Sequence, residues 1–358
     1  MNTTLRAPLR VLAGALAAWL LGACAGSLEE AHVRALQEPP QRASHEEGWE
    51  EGWEEVRARR SAMGTWFEVR LWHRTGDKVE AALEAVWSEL ERVEQALSDY
   101  RPDSEVRGLE DGEWHVPSPV LAEALAWSEQ LVAETTGACD PTVGPLTRLW
   151  RRAARQAQIP DGARLAAARA AVGWAGLERS PDGQVRLRRP GMRLDFGAFG
   201  KGLALDRAYA ALCAAGLQRA LIDGGGDLRI GQAPPGHAGW QVVVSAAEGD
   251  RQVLQLSSCG LATSGLSARP LTLEGRVMGH ILDPRTGEWL DRPRAASCIA
   301  PTATQADGWA TALCITGAWV LGSLPGGVEG RLLEPVGDAF GIEVSPGFLA
   351  AAPAITDP

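Results

Sequence analysis

One stretch constrains this chain more than any other: Arg193 to Asp206, which reads RLDFGAFGKGLALD. An apolar lead-in reaches Asp195, passes Gly197 and Gly200, and restarts as an apolar-periodic run carrying Lys201 and Gly202. The pattern predicts a strand, a tight glycine-permitted turn, and a helix whose first amides face whatever lies beyond them. Exposed helix N-termini attract anions, phosphates above all. An ordinary strand-to-helix connection, with glycines serving turn geometry alone, carries the same signature. Two nucleotide motifs are excluded. A Walker A loop needs glycine where Asp195 stands and Ser or Thr where Gly202 stands, and the spacing is not GxGxxG.

Residues 1–23 read as a processing signal. Arg6 and Arg10 precede an apolar run, Val11 to Leu21, too short to span a bilayer as a mature helix. The run ends in Leu21-Gly22-Ala23-Cys24, which looks like a bacterial lipobox with Cys24 as the lipidated N-terminus. A plain secretory signal and an uncleaved anchor are the alternatives. The expected location is the bacterial cell envelope, lipid-anchored to the membrane and facing the periplasm. Net charge is −10, and because residues 1–23 hold two arginines and no acid, the remainder carries −12. That balance argues against nucleic acid as a partner, and a polyanionic ligand would need a cation to mediate it. Beyond Cys24, the cysteines Cys139, Cys213, Cys259, Cys298 and Cys314 form no CxxC pair. A zinc site or a dense disulfide framework is therefore not expected. Buried thiols are the default, with one or two bridges left open.

Residues 24–55 read as an acidic tether, with Pro39-Pro40 and a duplicated Glu-Glu-Gly-Trp at 46–49 and 50–53. Residues 56–350 read as one globular domain and 351–358 as a tail. Within the domain, Met63 to Trp72 alternates as a strand, and Lys78 to Leu97 places Val79, Ala82, Leu83, Val86, Leu90, Val93 and Leu97 on one helical stripe. Val120 to Thr135 and Lys201 to Ala215 read as helices, and Asp140 to Pro145 as a rigid loop. Arg148, Arg151, Arg152 and Arg155 form a basic run, either a solvated face or a phosphate contact. A strand is expected at Ala220 to Asp223, running into Gly224-Gly225-Gly226-Asp227, with more strands at 240–245 and 251–256. Helices followed by clusters of strands point to an α+β fold. Finally, Asp307 and Thr311 lie four apart on an expected helix, hence on one face. They suit either Mg²⁺, which takes few hard oxygen ligands from protein, or simple capping of a Thr-rich helix start.

Taken in order, these motifs resemble the ApbE family of flavin transferases, the FAD:protein FMN transferases, from about Met63 to Gly317. The resemblance rests on Met63-Gly64-Thr65, Leu97-Ser98 through Pro102-Asp103-Ser104-Glu105, Gly137 with Asp140-Pro141-Thr142-Val143, and Asp195 with Gly200-Lys201-Gly202 and Asp206. It continues through Asp223-Gly224-Gly225-Gly226-Asp227, Thr263-Ser264-Gly265, His280 to Gly287, and Asp307 with Thr311.

The resemblance implies an ApbE-like, T-fold-related α+β fold with mixed β-sheets and flanking helices in one large globular unit. It also implies Mg²⁺-dependent transfer of FMN from FAD to a Ser or Thr hydroxyl of a target protein, with release of AMP. Acceptors of such enzymes are membrane redox proteins bearing a Ser/Thr flavinylation motif. By matching motif, Asp307 and Thr311 would supply metal ligands, with the Ala198 carbonyl a third. Met63, Tyr100, Asp140, Thr142, Lys201, Gly225, Ser264 and His280 would contact FAD. His280 is the candidate for orienting or deprotonating the acceptor hydroxyl. The sequence departs from the family pattern at Ser267 (commonly Tyr), Glu110 (commonly Asn) and Met278-Gly279 (commonly Tyr-Ser). Two other readings stay open: a periplasmic FAD pyrophosphatase yielding FMN and AMP, and a non-catalytic FAD-binding lipoprotein.

Overall fold

The computed structural model describes residues 34–35, 52–245, 250–265, 271–273, 276–278, 281–290, 294–336 and 339–351. β1 is Arg34–Ala35, and β2 (Trp53–Ala62) and β3 (Thr65–Arg74) form a long antiparallel hairpin. The expected strand from Met63 is corrected at its start. Met63 and Gly64 have φ of 51° and 75° and make the two-residue turn, because a left-handed pair matches the twist of the flanking strands. Beyond that turn the alternation holds: Phe67, Val69 and Leu71 are buried, while Trp66, Glu68 and Arg70 face the other side. Strand structure also reaches into the stretch read as tether. Trp53 to Glu55 open β2, Arg74 lies over the Trp53 ring at 4.7 Å, and Arg34–Ala35 pair with Val242 and Val243.

The helical layer follows. α1 (Val79–Leu97) buries Ala82, Val86, Leu90, Val93 and Leu97 along the expected stripe. α2 (Glu105–Gly108) is a single turn, and α3 (Pro119–Glu134) is capped by Ser118, whose hydroxyl accepts from Leu121 N at 3.2 Å. A 3₁₀ turn at Pro141–Val143 runs directly into α4 (Gly144–Gln156), and α5 (Gly162–Ala170) starts at an Asp161 cap. β4 (Leu177–Arg179) and β5 (Val185–Leu187) pair antiparallel. The lead-in at 193–196 is not a strand. Arg193, Leu194, Asp195 and Phe196 are all buried, and Asp195 N donates to Pro141 O at 2.7 Å, so the segment is enclosed on both sides with no strand alongside.

α6 (Gly200–Ala214) leads to β6 (Ala220–Gly224), β7 (Asp227–Ile230), β8 (Trp240–Val244), β9 (Gln252–Leu256) and β10 (Cys259–Gly265). Short pairs β11 (Leu271–Leu273) with β12 (Arg276–Met278), and β13 (Leu282–Asp283) with β14 (Glu288–Trp289), precede β15 (Ala295–Ala300). The chain continues through α7 (Ala303–Thr316), β16 (Glu329–Val336), β17 (Ala339–Val344) and α8 (Pro346–Ala350). The main sheet has eight strands in the order β17-β16-β15-β10-β7-β6-β3-β2. Every neighbour pair in it is antiparallel, which sharpens the expected mixed β-sheets. Helices α1, α6 and α7 pack on one face over the principal core. The β1-β8-β9 sheet contributes Trp240, Val242, Val244, Leu254 and Leu256 to a second core with Leu221, Leu228, Ile230 and Leu261, residues of the main sheet's reverse face.

Candidate active site

Two helices meet at one end of the main sheet, and their junction sets the site. Asp206, one and a half turns into α6, caps the start of α7. Its carboxylate accepts from Ala303 N at 2.9 Å, Thr304 N at 2.8 Å and Thr304 Oγ1 at 2.6 Å, and Arg229 Nε lies 3.0 Å from it. Gly202 is required by this contact: a Cβ there would lie 2.3 Å from the Ala303 carbonyl oxygen. The glycine pattern at 197–202 predicts an open anion-binding terminus on α6. Instead its early amides are used internally: Gly200 N donates to Phe196 O at 2.7 Å, and Gly202 N to Asp307 Oδ2 at 3.0 Å. The hydrogen-bond acceptor at this helix terminus is the protein's own Asp307 carboxyl.

Asp307 is buried, and Thr311 follows one turn later on α7. The Thr311 hydroxyl donates to the Ala198 carbonyl at 3.3 Å and lies 3.0 Å from Ser264 Oγ on β10. Lys201 ion-pairs with buried Asp227, whose other oxygen accepts from Thr263 N at 3.2 Å. Burial and the Asp227 charge push the Asp307 carboxyl up to about 8, against Lys201 and the Gly202 amide, which pull it down. Burial works against the Lys201 ammonium, but Asp227, Asp307 and Asp223 outweigh it and hold the lysine charged. Asp227 closes the Asp223-Gly224-Gly225-Gly226-Asp227 motif. Its place on the first residue of β7, after the Gly225-Gly226 turn, is what aims it at Lys201.

The other candidate residues sit on turns and loops. Met63 sits on the β2–β3 turn, where its amide donates to Glu94 Oε2 at 3.1 Å. Gly225 has φ of 68° and abuts Thr65, two residues beyond Met63: a Cβ there would lie 2.5 Å from the threonine hydroxyl. Tyr100 is 76 % exposed beneath the Arg151 guanidinium, 4.5 Å from the ring centroid. Asp140 and Thr142 are committed to the backbone. Asp140 accepts from Thr142 N, Thr142 Oγ1 and Trp174 N at 2.8, 2.7 and 3.1 Å, and Thr142 Oγ1 accepts from Gly173 N at 2.7 Å. They brace the turn on which the 193–199 segment rests. Glu110, at a position departing from the family pattern, pairs with buried Arg193 and with Arg107 at 3.1 Å. His280, Cys24, Ser267 and Gly279 lie outside the described residues. Asp195 accepts from Gly197 N at 2.8 Å and from Arg151 Nη2 at 3.1 Å, so it shapes the loop that presents Ala198.

The donor chemistry suits a hard divalent cation. One carboxylate, one hydroxyl and one main-chain carbonyl come from α7 and the segment packed against it, and a buried carboxylate whose ionisation is disfavoured gains from a positive charge. Among the described residues no group of three or more His, Cys, Asp and Glu side chains gathers to hold a metal. A cation here would rely on carbonyl and hydroxyl oxygens beside Asp307. Cys139, Cys213, Cys259, Cys298 and Cys314 are all free thiols.

Residues 63–322, a span that contains this whole constellation, match the ApbE family model. A FAD:protein FMN transferase of Escherichia coli K12 is 28% identical over 301 residues, covering 80% of this chain and 86% of the relative. The apo flavinyl transferase ApbE of Pseudomonas stutzeri superposes with a TM-score of 0.76 at 24% identity, over 84% of this chain and 98% of that one. The ApbE protein of Thermotoga maritima gives 0.74 at 26% identity, over 84% of this chain and 100% of that one. The antiparallel sheet, the helices on its face and the matched span together make this chain a member of the ApbE family.

Proposed function

We propose that this enzyme transfers FMN from FAD to a Ser or Thr hydroxyl of a protein acceptor and releases AMP, with Mg²⁺ bound at Asp307, Thr311 and the Ala198 carbonyl. The observation that carries the reading is the contact of Thr311 with the distant Ala198 carbonyl, one helical turn from Asp307, which accepts from Gly202 N beside Lys201, all within the matched family span. In the reaction the acceptor oxygen forms a bond to the FMN phosphorus, and the bond from that phosphorus to the bridging pyrophosphate oxygen breaks. AMP leaves with the electron pair. Bound Mg²⁺ supplies charge neutralisation at the pyrophosphate and stabilises the leaving group. The chain's own part is positioning. Asp206 and Gly202 fix α7 against α6, with Asp307 held on the Gly202 amide and Thr311 on the Ala198 carbonyl. Lys201, held charged by its carboxylate neighbours, adds a second cation where an acidic protein must receive a diphosphate. His280 takes the acceptor's proton or orients its hydroxyl.

The same reading makes Cys24 a lipid attachment site that tethers the enzyme to the envelope membrane facing the periplasm, near membrane redox acceptors. Among the described residues no helix is long and apolar enough to cross a membrane.

Product analysis tests the activity. The protein is incubated with FAD and Mg²⁺, with and without an acceptor bearing a Ser/Thr flavinylation motif, and nucleotides are resolved by chromatography. Transfer predicts AMP formed in proportion to acceptor, with no free FMN. Equal AMP and free FMN without acceptor would indicate FAD hydrolysis instead, and intact FAD a carrier. Full turnover in Asp307→Ala would overturn the metal assignment, and undiminished transfer in His280→Ala would remove the histidine from the chemistry.

A further inference from the structure

The basic run on α4 contains one arginine whose guanidinium serves three groups at once. Arg151 Nη1 donates to Asp99, and Nη2 donates to Asp195 Oδ2 at 3.1 Å. The guanidinium carbon also lies 4.5 Å from the centroid of the exposed Tyr100 ring. These partners belong to different walls. Asp99 precedes Tyr100 in the loop after α1, so fixing Asp99 fixes the backbone that carries the ring. Asp195 accepts from Gly197 N at 2.8 Å, and the next residue is Ala198, whose carbonyl accepts from Thr311. A continuous set of contacts therefore runs from Tyr100 through Arg151 and Asp195 to the Ala198 carbonyl. Only a guanidinium suits the junction: its planar fork serves two carboxylates while its face stacks on an aromatic ring, and an ammonium cannot do all three. Without it, two carboxylates would face each other across the seam.

We propose that Arg151 is a positioning residue that couples FAD binding to divalent-cation binding by holding the Tyr100 wall and the Ala198 loop in one arrangement. This rests on the flavin-transfer reading and adds a residue and a linkage to it. Coupling between two ligands is reciprocal, so it can be read from the FAD side alone.

The experiment measures the Kd of FAD by flavin fluorescence on the full-length protein, once with Mg²⁺ and once with EDTA, with chromatography verifying that bound FAD is intact. The ratio of the two constants is the coupling factor. Wild type should bind FAD more tightly with Mg²⁺, and Arg151→Gln should reduce that factor by roughly fivefold or more. Arg151→Lys, which keeps the charge but not the fork, should fall between them. Arg152→Gln, on the same run, should match wild type and so exclude a general loss of positive charge. A lesion that merely loosens the fold would lower the melting temperature without changing the ratio. Should Arg151→Gln not fold, Asp99→Asn removes one arm and carries the same expectation of a reduced ratio. A folded Arg151→Gln or Asp99→Asn protein with the wild-type ratio overturns the coupling role and leaves the flavin reading standing. Wild type that binds no FAD under either condition overturns both.

Discussion

Asp206 offers the sharpest test of how the site is held. Its carboxylate accepts three hydrogen bonds from the first turn of α7 and pairs with Arg229, which in turn stacks over Tyr209 at 4.7 Å. Removing it in Asp206→Ala leaves three donors in the first turn of α7 without their acceptor, about 1 kcal/mol or more, and leaves a largely buried arginine without its counter-ion, which costs several more. Part of that is returned, because burial already pushes the Asp206 carboxyl above the usual carboxylate range. The net expectation is a loss of about 2–4 kcal/mol. Urea unfolding monitored by circular dichroism reads it as a lower midpoint at unchanged slope. Because Asp307 and Thr311 ride on the same helix, Mg²⁺ affinity should weaken in parallel, measured by calorimetric titration. Asp206→Asn, which keeps an acceptor oxygen, should lose less on both counts. An Asp206→Ala protein within about 0.5 kcal/mol of wild type and with unaltered Mg²⁺ affinity would refute the claim that this cap positions the site.

Three further expectations follow from individual residues. A double-mutant cycle on Lys201 and Asp227 should give a coupling energy above about 1 kcal/mol, the upper range for exposed pairs, because Asp227 is buried; a value near zero would make the pair incidental. Burial raises the Asp140 carboxyl above its ordinary value, against hydrogen bonds from Thr142 and Trp174. Its contribution is thus fully present below the ordinary carboxylate pKa and lost as pH rises through the raised one. Thermal melts from pH 7 down to about pH 4 should show wild type gaining on Asp140→Asn as pH falls, and a constant gap would contradict the sign. Burial also pushes the thiols of Cys139, Cys298 and Cys314 upward, Cys314 to about 12. All three should resist alkylation at pH 8 in the native protein and react once it is unfolded, with sites mapped by mass spectrometry.

How far the chain was legible depended on whether a residue's partner lay nearby in sequence. The α1 stripe, the α3 helix and the Asp307/Thr311 spacing follow from local periodicity and were readable. The Met63-Gly64 turn was read through, because strand alternation continues across it while the left-handed backbone leaves no mark in a hydrophobic pattern. The 193–196 segment looked like a strand since Leu194 and Phe196 alternate, yet Arg193 and Asp195 are buried too, and their partners Glu110 and Arg151 lie on a 3₁₀ turn and a helix rather than a neighbouring strand. Arg151 was hidden for a related reason. Four arginines on one helix suggest a solvated face, and nothing local singles out the one that meets Asp99 and Asp195. The Ala198 carbonyl carries no side-chain signal at all, so only the family resemblance suggested it. Asp206 likewise caps a helix 97 residues later, a relation set wholly by packing.

The central claim is that oxygens gathered from α7 and the 195–199 loop support movement of FMN onto a protein hydroxyl. The most direct measurement is the intact mass of an acceptor carrying a Ser/Thr flavinylation motif after incubation with this protein, FAD and Mg²⁺, beside a parallel reaction with Asp307→Ala. The account predicts an acceptor heavier by one FMN phosphoester in the wild-type reaction and unmodified in the other. An acceptor of unchanged mass with wild type, or one equally modified by Asp307→Ala, would contradict it.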